Sequence, residues 1–200
     1  MGGEAKRFRG AIAGVGTTSG VRVVVGRWGE SPYGAFADAM VETSGGHRVL
    51  VAPRADVAEF VAATYVFDEV RVEPITVEGV ESWSVRAPSL ELDIAVGRRT
   101  VLGRALRLVP AGLAESPRWS LVTDPVARLL VRGVRTRGSA GGGRREWYGA
   151  TDHHAVVRVG GSFDGADVGE LAPVLPAPRF GFSSTPRRAS VTKVVTTVED

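Results

Sequence analysis

The stretch "SPYGAFADAMVE", residues 31–42, decides how this chain is read. After the Ser-Pro turn it nearly alternates, as a strand does. Phe36, Asp38 and Met40 fall on one face, and Ala37, Ala39 and Val41 on the other. Asp38 therefore shares a face with two large apolar side chains, and that face is read as the core side. Such a carboxylate has two readings. It is a strand acid paired with an arginine, or it is the polar point of a pocket. In the second case apolar walls raise its pKa and equip it to hold or move a proton.

Strand signals dominate outward from this segment. Val21–Arg27 is rich in β-branched residues, and His47–Ala52 is expected to form a hairpin with Ala35–Val41 across "TSGG". Asp56-Val-Ala-Glu59 is a capping box and predicts a short helix that ends near Thr64. Strands are predicted at Glu69–Val77, Trp83–Arg86 and Leu90–Val96, the last alternating strictly. Residues 98–109 are ambiguous, because a glycine argues against a firm helix. Pro125–Arg132 reads as helical and Gly138–Gly143 as a flexible loop. Further strands are read at Arg145–Tyr148, Val156–Phe163 and Ala189–Val198, with loop at Pro173–Pro178 and a short edge strand at Phe180–Phe182. No fixed-period repeat appears, and no linker separates two cores. Residues 1–200 are expected to form one domain, with 1–18 flexible or peripheral. The expected class is mainly β with a few short helices, a closed or nearly closed antiparallel β-barrel.

Composition narrows function. The chain has 200 residues, 44% of them hydrophobic, with no cysteine and no apolar run long enough to span a membrane as a helix. Disulfides, thiolate catalysis and cysteine metal sites are excluded. No secretory signal is read at the N-terminus, so a soluble cytoplasmic protein is expected. The formal charge is +3 and the pI about 9.8. Lys6 and Lys193 are the two lysines, so 23 of the 25 basic residues are arginine. GC-rich codon usage produces that bias as readily as function does. Basic and acidic residues alternate along most of the chain, which argues against nucleic acid as the partner.

Other motifs carry less. "GVGTTSG" at 14–20 lacks the Gly-Lys-Ser/Thr ending of a phosphate loop and reads as a Gly-rich turn. "DHH" at 152–154 would send its two histidines to opposite strand faces, a poor geometry for one metal; no metal and no cofactor are expected. "GGGRREW" at 141–147 could hold an anion on backbone amides with Arg144 or Arg145, or be a hairpin tip with solvated arginines.

The order of segments resembles the acetoacetate decarboxylase superfamily from about Val21 to Val198. Gly34-Ala35-Phe36-Ala37-Asp38 is similar to that family's Gly-x-Tyr-x-Glu element, with Asp for Glu. The helix leading into Tyr65-Val66-Phe67-Asp68-Glu69 stands where the family has helix and Tyr-Pro-Lys-Lys. The run from Gly143-Arg144-Arg145-Glu146-Trp147 through Phe163-Asp164-Gly165 looks like its late strands, followed by "LAP" at 171–173. The resemblance implies a cone-like barrel with an enclosed pocket. Phe67 and Asp68 occupy the positions of the reactive lysine pair, so it also implies that Schiff-base decarboxylation is absent.

Three functional readings follow. The first is a barrel that binds a small acyl or keto-acid-like molecule, with Phe36, Met40, Tyr65, Phe67, Arg144 and Arg145 as binding residues. The second is a lyase, isomerase or cyclase that uses Asp38 as acid/base, with Asp68 or Tyr65 as partner. The third is an interaction module that uses Arg132, Arg135, Arg137, Arg144 and Arg145. Whether the chain turns over a substrate is left open, as is homo-oligomer formation.

Overall fold

The computed structural model describes residues 5–109, 137–139, 145–181 and 185–199. The chain runs β1 (Ala5–Thr17), β2 (Arg22–Glu30), β3 (Phe36–Glu42), β4 (Arg48–Ala52), α1 (Ala55–Thr64) and β5 (Glu69–Val72). It continues with β6 (Thr76–Glu78), β7 (Ser82–Arg86), β8 (Leu90–Arg99), α2 (Val101–Leu106), β9 (Arg137–Ser139) and β10 (Arg145–Phe163). The last elements are β11 (Ala166–Asp167), β12 (Leu171–Ala172) and β13 (Ser190–Glu199). The strands form one strongly curled sheet in the order β5-β4-β3-β2-β1-β13-β10-β8-β7-β6. Strands β9 and β11 pair with β10, and β12 pairs with β1.

The chain is mainly β as expected, but the sheet is a half-barrel and does not close, where a closed or nearly closed barrel was expected. Its end strands, β5 and β6, come from what was read as one strand, Glu69–Val77. Pro74 lies between them, and a proline supplies no ladder N–H. The α1 crossover also makes β5 parallel to β4, whereas the expected barrel was antiparallel throughout. Side chains reach across the curl instead. Arg27 donates to the Gly79 carbonyl and lies 6.0 Å from the Trp83 ring centroid. Arg71 pairs with Asp164, and Ser89 donates to Glu73.

The N-terminal segment is not peripheral. As β1 it lies between β2 and β13 near the middle of the sheet. Its glycines give close approach rather than turns: a Cβ on Gly16 would lie 2.6 Å from the Pro173 carbonyl oxygen. Arg145–Tyr148 and Val156–Phe163 also join into one 19-residue strand, β10. Register shifts at Ala150/Asp152 and His154/Val156 bend it, so its first half pairs with β13 and its second with β8. In the ambiguous stretch, α2 forms because Thr100 accepts the Gly103 N–H at 3.1 Å. Gly138 and Ser139 belong to β9 rather than to a loop. The helix read at Pro125–Arg132, the arginines 132, 135 and 144, and Phe182 lie outside the described residues.

Two apolar clusters stabilise the fold. The first contains Ala39, Val41 and Val51 from one end of the sheet and Val85, Leu92 and Ile94 from the other, and fills the inside of the curl. Full burial of each large side chain contributes roughly 1.5–3 kcal/mol. The second lies on the opposite pleat face under α1, built on Phe8, Leu50, Val57, Phe60, Val61 and Val198. Phe36 and Met40 pack there. The face bearing Asp38 is thus a core side, but the one covered by α1 rather than the inside of the curl. Among the described residues no helix is long and apolar enough to cross a membrane.

Candidate functional site

The site is assembled from strand register. On β3, Asp38 sits directly opposite Gly26 of β2, and Trp28 follows two residues along on the same face. The Trp28 indole donates to Asp38 Oδ1 at 2.9 Å. Gly26 makes this contact fit: a Cβ there would overlap Asp38 Oδ1 and lie 2.6 Å from Trp28 Nε1. Asp38 is 5% exposed, and no ion pair reaches it among the described residues. Burial raises its pKa to about 6, partly offset by the indole hydrogen bond.

Tyr65 is the first residue beyond α1, its N–H bonded to the Val61 carbonyl at 2.9 Å. Its hydroxyl donates to Glu146 Oε1 at 2.7 Å and lies 2.7 Å from the Tyr148 hydroxyl. Either hydroxyl of the tyrosine pair can donate to the other, and Tyr148 also hydrogen-bonds Glu146. The two groups from β10 stand opposite Val198 and Thr196 of β13, which in turn stand opposite Lys6 and Phe8 of β1. All therefore share the α1-covered face. Glu146 is 1% exposed, and desolvation lifts its carboxyl to about 7 despite the tyrosine hydrogen bonds. Burial pushes both phenols up, and the charge of Glu146 adds to this. The charge of Asp38 also reaches Tyr148, so the two acids share one electrostatic neighbourhood.

Aromatic rings wall this region. Phe8 stacks on Phe60 with centroids 5.1 Å apart and meets Trp28 edge-on at 5.8 Å. Lys6 Nζ lies 5.2 Å from the Phe60 centroid. A strap through Arg179–Gly181 closes over Tyr65. The Phe180 carbonyl accepts the Val66 N–H at 2.8 Å, and Phe180 packs on Phe67. A Cβ on Gly181 would lie 2.8 Å from the Tyr65 ring. The strap is anchored by Glu42, whose Oε2 accepts the Arg179 N–H at 2.7 Å while Oε1 pairs with Arg22 at 2.7 Å.

Of the residues singled out in the sequence, Asp38, Phe36, Met40, Tyr65 and Phe67 belong to this face. Asp68 instead turns to the surface, where Arg48 grips both its oxygens at 2.8 and 3.0 Å. That guanidinium holds its carboxyl well below the usual range. The Arg145 side chain lies outside the described residues. Asp152 is taken by Arg99 at 2.8 and 3.0 Å, and His153 by Thr100 at 2.8 Å. Sequence reading missed Trp28, Glu146 and Tyr148 as site residues. The strand of Glu146 was legible, but its partner Tyr65 lies 81 positions away. Gly26 inside an apolar strand was the available signal, since a strand glycine marks close approach. The arrangement can donate or take a proton at two buried carboxyls within an aromatic enclosure. Comparison with family models, curated proteins and solved structures gives no match.

Proposed function

We propose that the α1-covered face binds a small organic molecule and transfers protons to or from it through Asp38 and Glu146. The observation that carries this reading is two desolvated carboxyls, neither in an ion pair among the described residues, set near neutrality within one aromatic enclosure. A group works best as acid and base when its pKa lies near the working pH. The Tyr148–Tyr65–Glu146 chain supplies a route along which charge at Glu146 is shared. The ligand class proposed is a small acyl or keto compound, and the chemistry is isomerase- or lyase-type proton transfer without an imine. The test is α-hydrogen exchange of cyclohexanone in deuterated buffer, followed by proton NMR. Exchange above the buffer rate that is lost in Asp38→Asn and Glu146→Gln supports the reading. Exchange at the buffer rate with wild-type protein overturns the proton transfer.

A further inference from the structure

Two polar atoms on the α1-covered face are buried without a hydrogen-bond partner among the described residues, Glu146 Oε2 and Thr196 Oγ1. Their residues sit on adjacent strands. Glu146 is opposite Val198 and Tyr148 is opposite Thr196, so Glu146 and Thr196 are diagonal neighbours. Diagonal positions on such a pair are about 7–8 Å apart, a span that one small molecule bridges. Buried polar groups are nearly always paired, so two adjacent exceptions on a face that already holds the paired acids call for a partner.

The chemistry of that partner follows from what surrounds Glu146. Its Oε1 is taken by the Tyr65 hydroxyl, which leaves Oε2 to carry the proton of the neutral acid. A carboxyl O–H needs an oxygen acceptor. The Thr196 hydroxyl can give or take a hydrogen bond and so tolerates either polarity in the ligand's second group. The ionisable groups sharing this face include Tyr65, Tyr148, Tyr33, Asp38 and Glu42 on β3, Arg22 on β2, Arg48 on β4 and Lys6 on β1, with Glu42 and Arg22 paired to each other. Glu146 has Tyr65 and Tyr148 as its direct neighbours, and burial favours its neutral form.

Resting on the reading of this face as a binding site, we infer that its occupant is an uncharged molecule with a ketone or amide carbonyl. The carbonyl oxygen accepts from Glu146 Oε2, and a second polar atom meets Thr196 Oγ1. Amine cations and molecules lacking an acceptor are excluded, because they leave the carboxyl proton without a partner. Binding a carbonyl keeps Glu146 protonated and therefore weakens as pH rises.

The experiment titrates the full chain with cyclohexanone and, separately, with cyclohexylammonium at pH 6 and pH 8.5, reading amide and indole NMR shifts. The inference expects cyclohexanone to bind, with Kd rising roughly tenfold or more between the two pH values. Glu146→Gln keeps an N–H donor in that place, so it is expected to bind cyclohexanone with a flat pH profile. Thr196→Val removes the partner of the ligand's second polar atom, so cyclohexane-1,4-dione is expected to bind it severalfold more weakly than wild type, and equal affinity would overturn the Thr196 contact. A flat wild-type profile, or preference for cyclohexylammonium, overturns the ligand class while the binding site stands. No shift at Trp28 or Tyr148 with either probe overturns the binding site itself, and the ligand class with it.

Discussion

Glu42 and Glu146 are equally buried, each 1% exposed, on the same sheet, and their surroundings make them opposites. Glu42 lies on β3 with Arg22 beside it on β2, and the backbone N–H of Arg179 completes its bonding. It is a charge neutralised by a charge, and it ties the strap to the sheet. Glu146 has phenols where Glu42 has a guanidinium, and one of its oxygens has no partner among the described residues. Desolvation therefore acts on it almost unopposed and drives it toward the neutral acid. Asp38 repeats the contrast within β3 itself. It sits four residues from Glu42 on the same face, yet receives an indole rather than an arginine. A buried acid serves architecture where a cation answers it and is available for chemistry where none does.

The largest expected effect breaks the architectural side. Glu42→Gln leaves Arg22, 3% exposed, as an unmatched buried charge. The expected loss is about 3–5 kcal/mol in urea unfolding. A loss below about 1 kcal/mol would show that the pair is not what holds the strap.

Next is the pH dependence of stability. Asp38 and Glu146 hold protons more tightly folded than unfolded, since their pKa values rise to about 6 and about 7 from 3.8 and 4.5. Their contribution is complete below about pH 4 and is lost as pH rises through 6 and 7. On the order of 3 kcal/mol per group is expected to disappear by pH 8.5. Unfolding midpoints at pH 5 and 8.5 capture about 1.5 kcal/mol of this for Asp38 and about 2.5 kcal/mol for Glu146, and Asp38→Asn with Glu146→Gln should flatten the difference. Stability that increases over that range would contradict the assignment.

Gly26→Ala sharpens the contrast within β3. The new methyl displaces the Trp28–Asp38 hydrogen bond, with an expected cost of about 1–3 kcal/mol and movement of the Trp28 indole resonance. An unchanged resonance would mean the strands yield instead. The smallest effect belongs to Asp68→Asn. Its pair with Arg48 is solvent-exposed and screened by salt, so the unfolding midpoint is expected to move least of all the variants.

Much of the strand framework was legible because alternation is local. β3, β4, β7 and most of β8 lie within a few residues of their expected bounds, and so does α1. The misreadings share a cause. Gly16 and Gly103 read locally as turn or breaker signals, yet both serve close backbone approach, which depends on segments remote in sequence. The "DHH" stretch became the bent middle of β10 because bulges are set by two partner strands rather than by composition. Asp38 was legible as an acid on an apolar face, but not which face α1 would cover.

By itself the sequence determined a β-rich chain without cysteine, the position of α1 but not its cap, which is Arg54 without a side-chain hydrogen bond rather than an Asp56 capping box, and Asp38 in the company of Phe36 and Met40. Each follows from residue type and spacing within one element. Only the tertiary structure decided that the sheet stays open, that Asp68 belongs to Arg48, and that Tyr65 meets Glu146 and Tyr148. Those outcomes join residues tens of positions apart. Burial and hydrogen-bond partners, which set whether an acid is a structural charge or a proton carrier, exist once those distant segments meet.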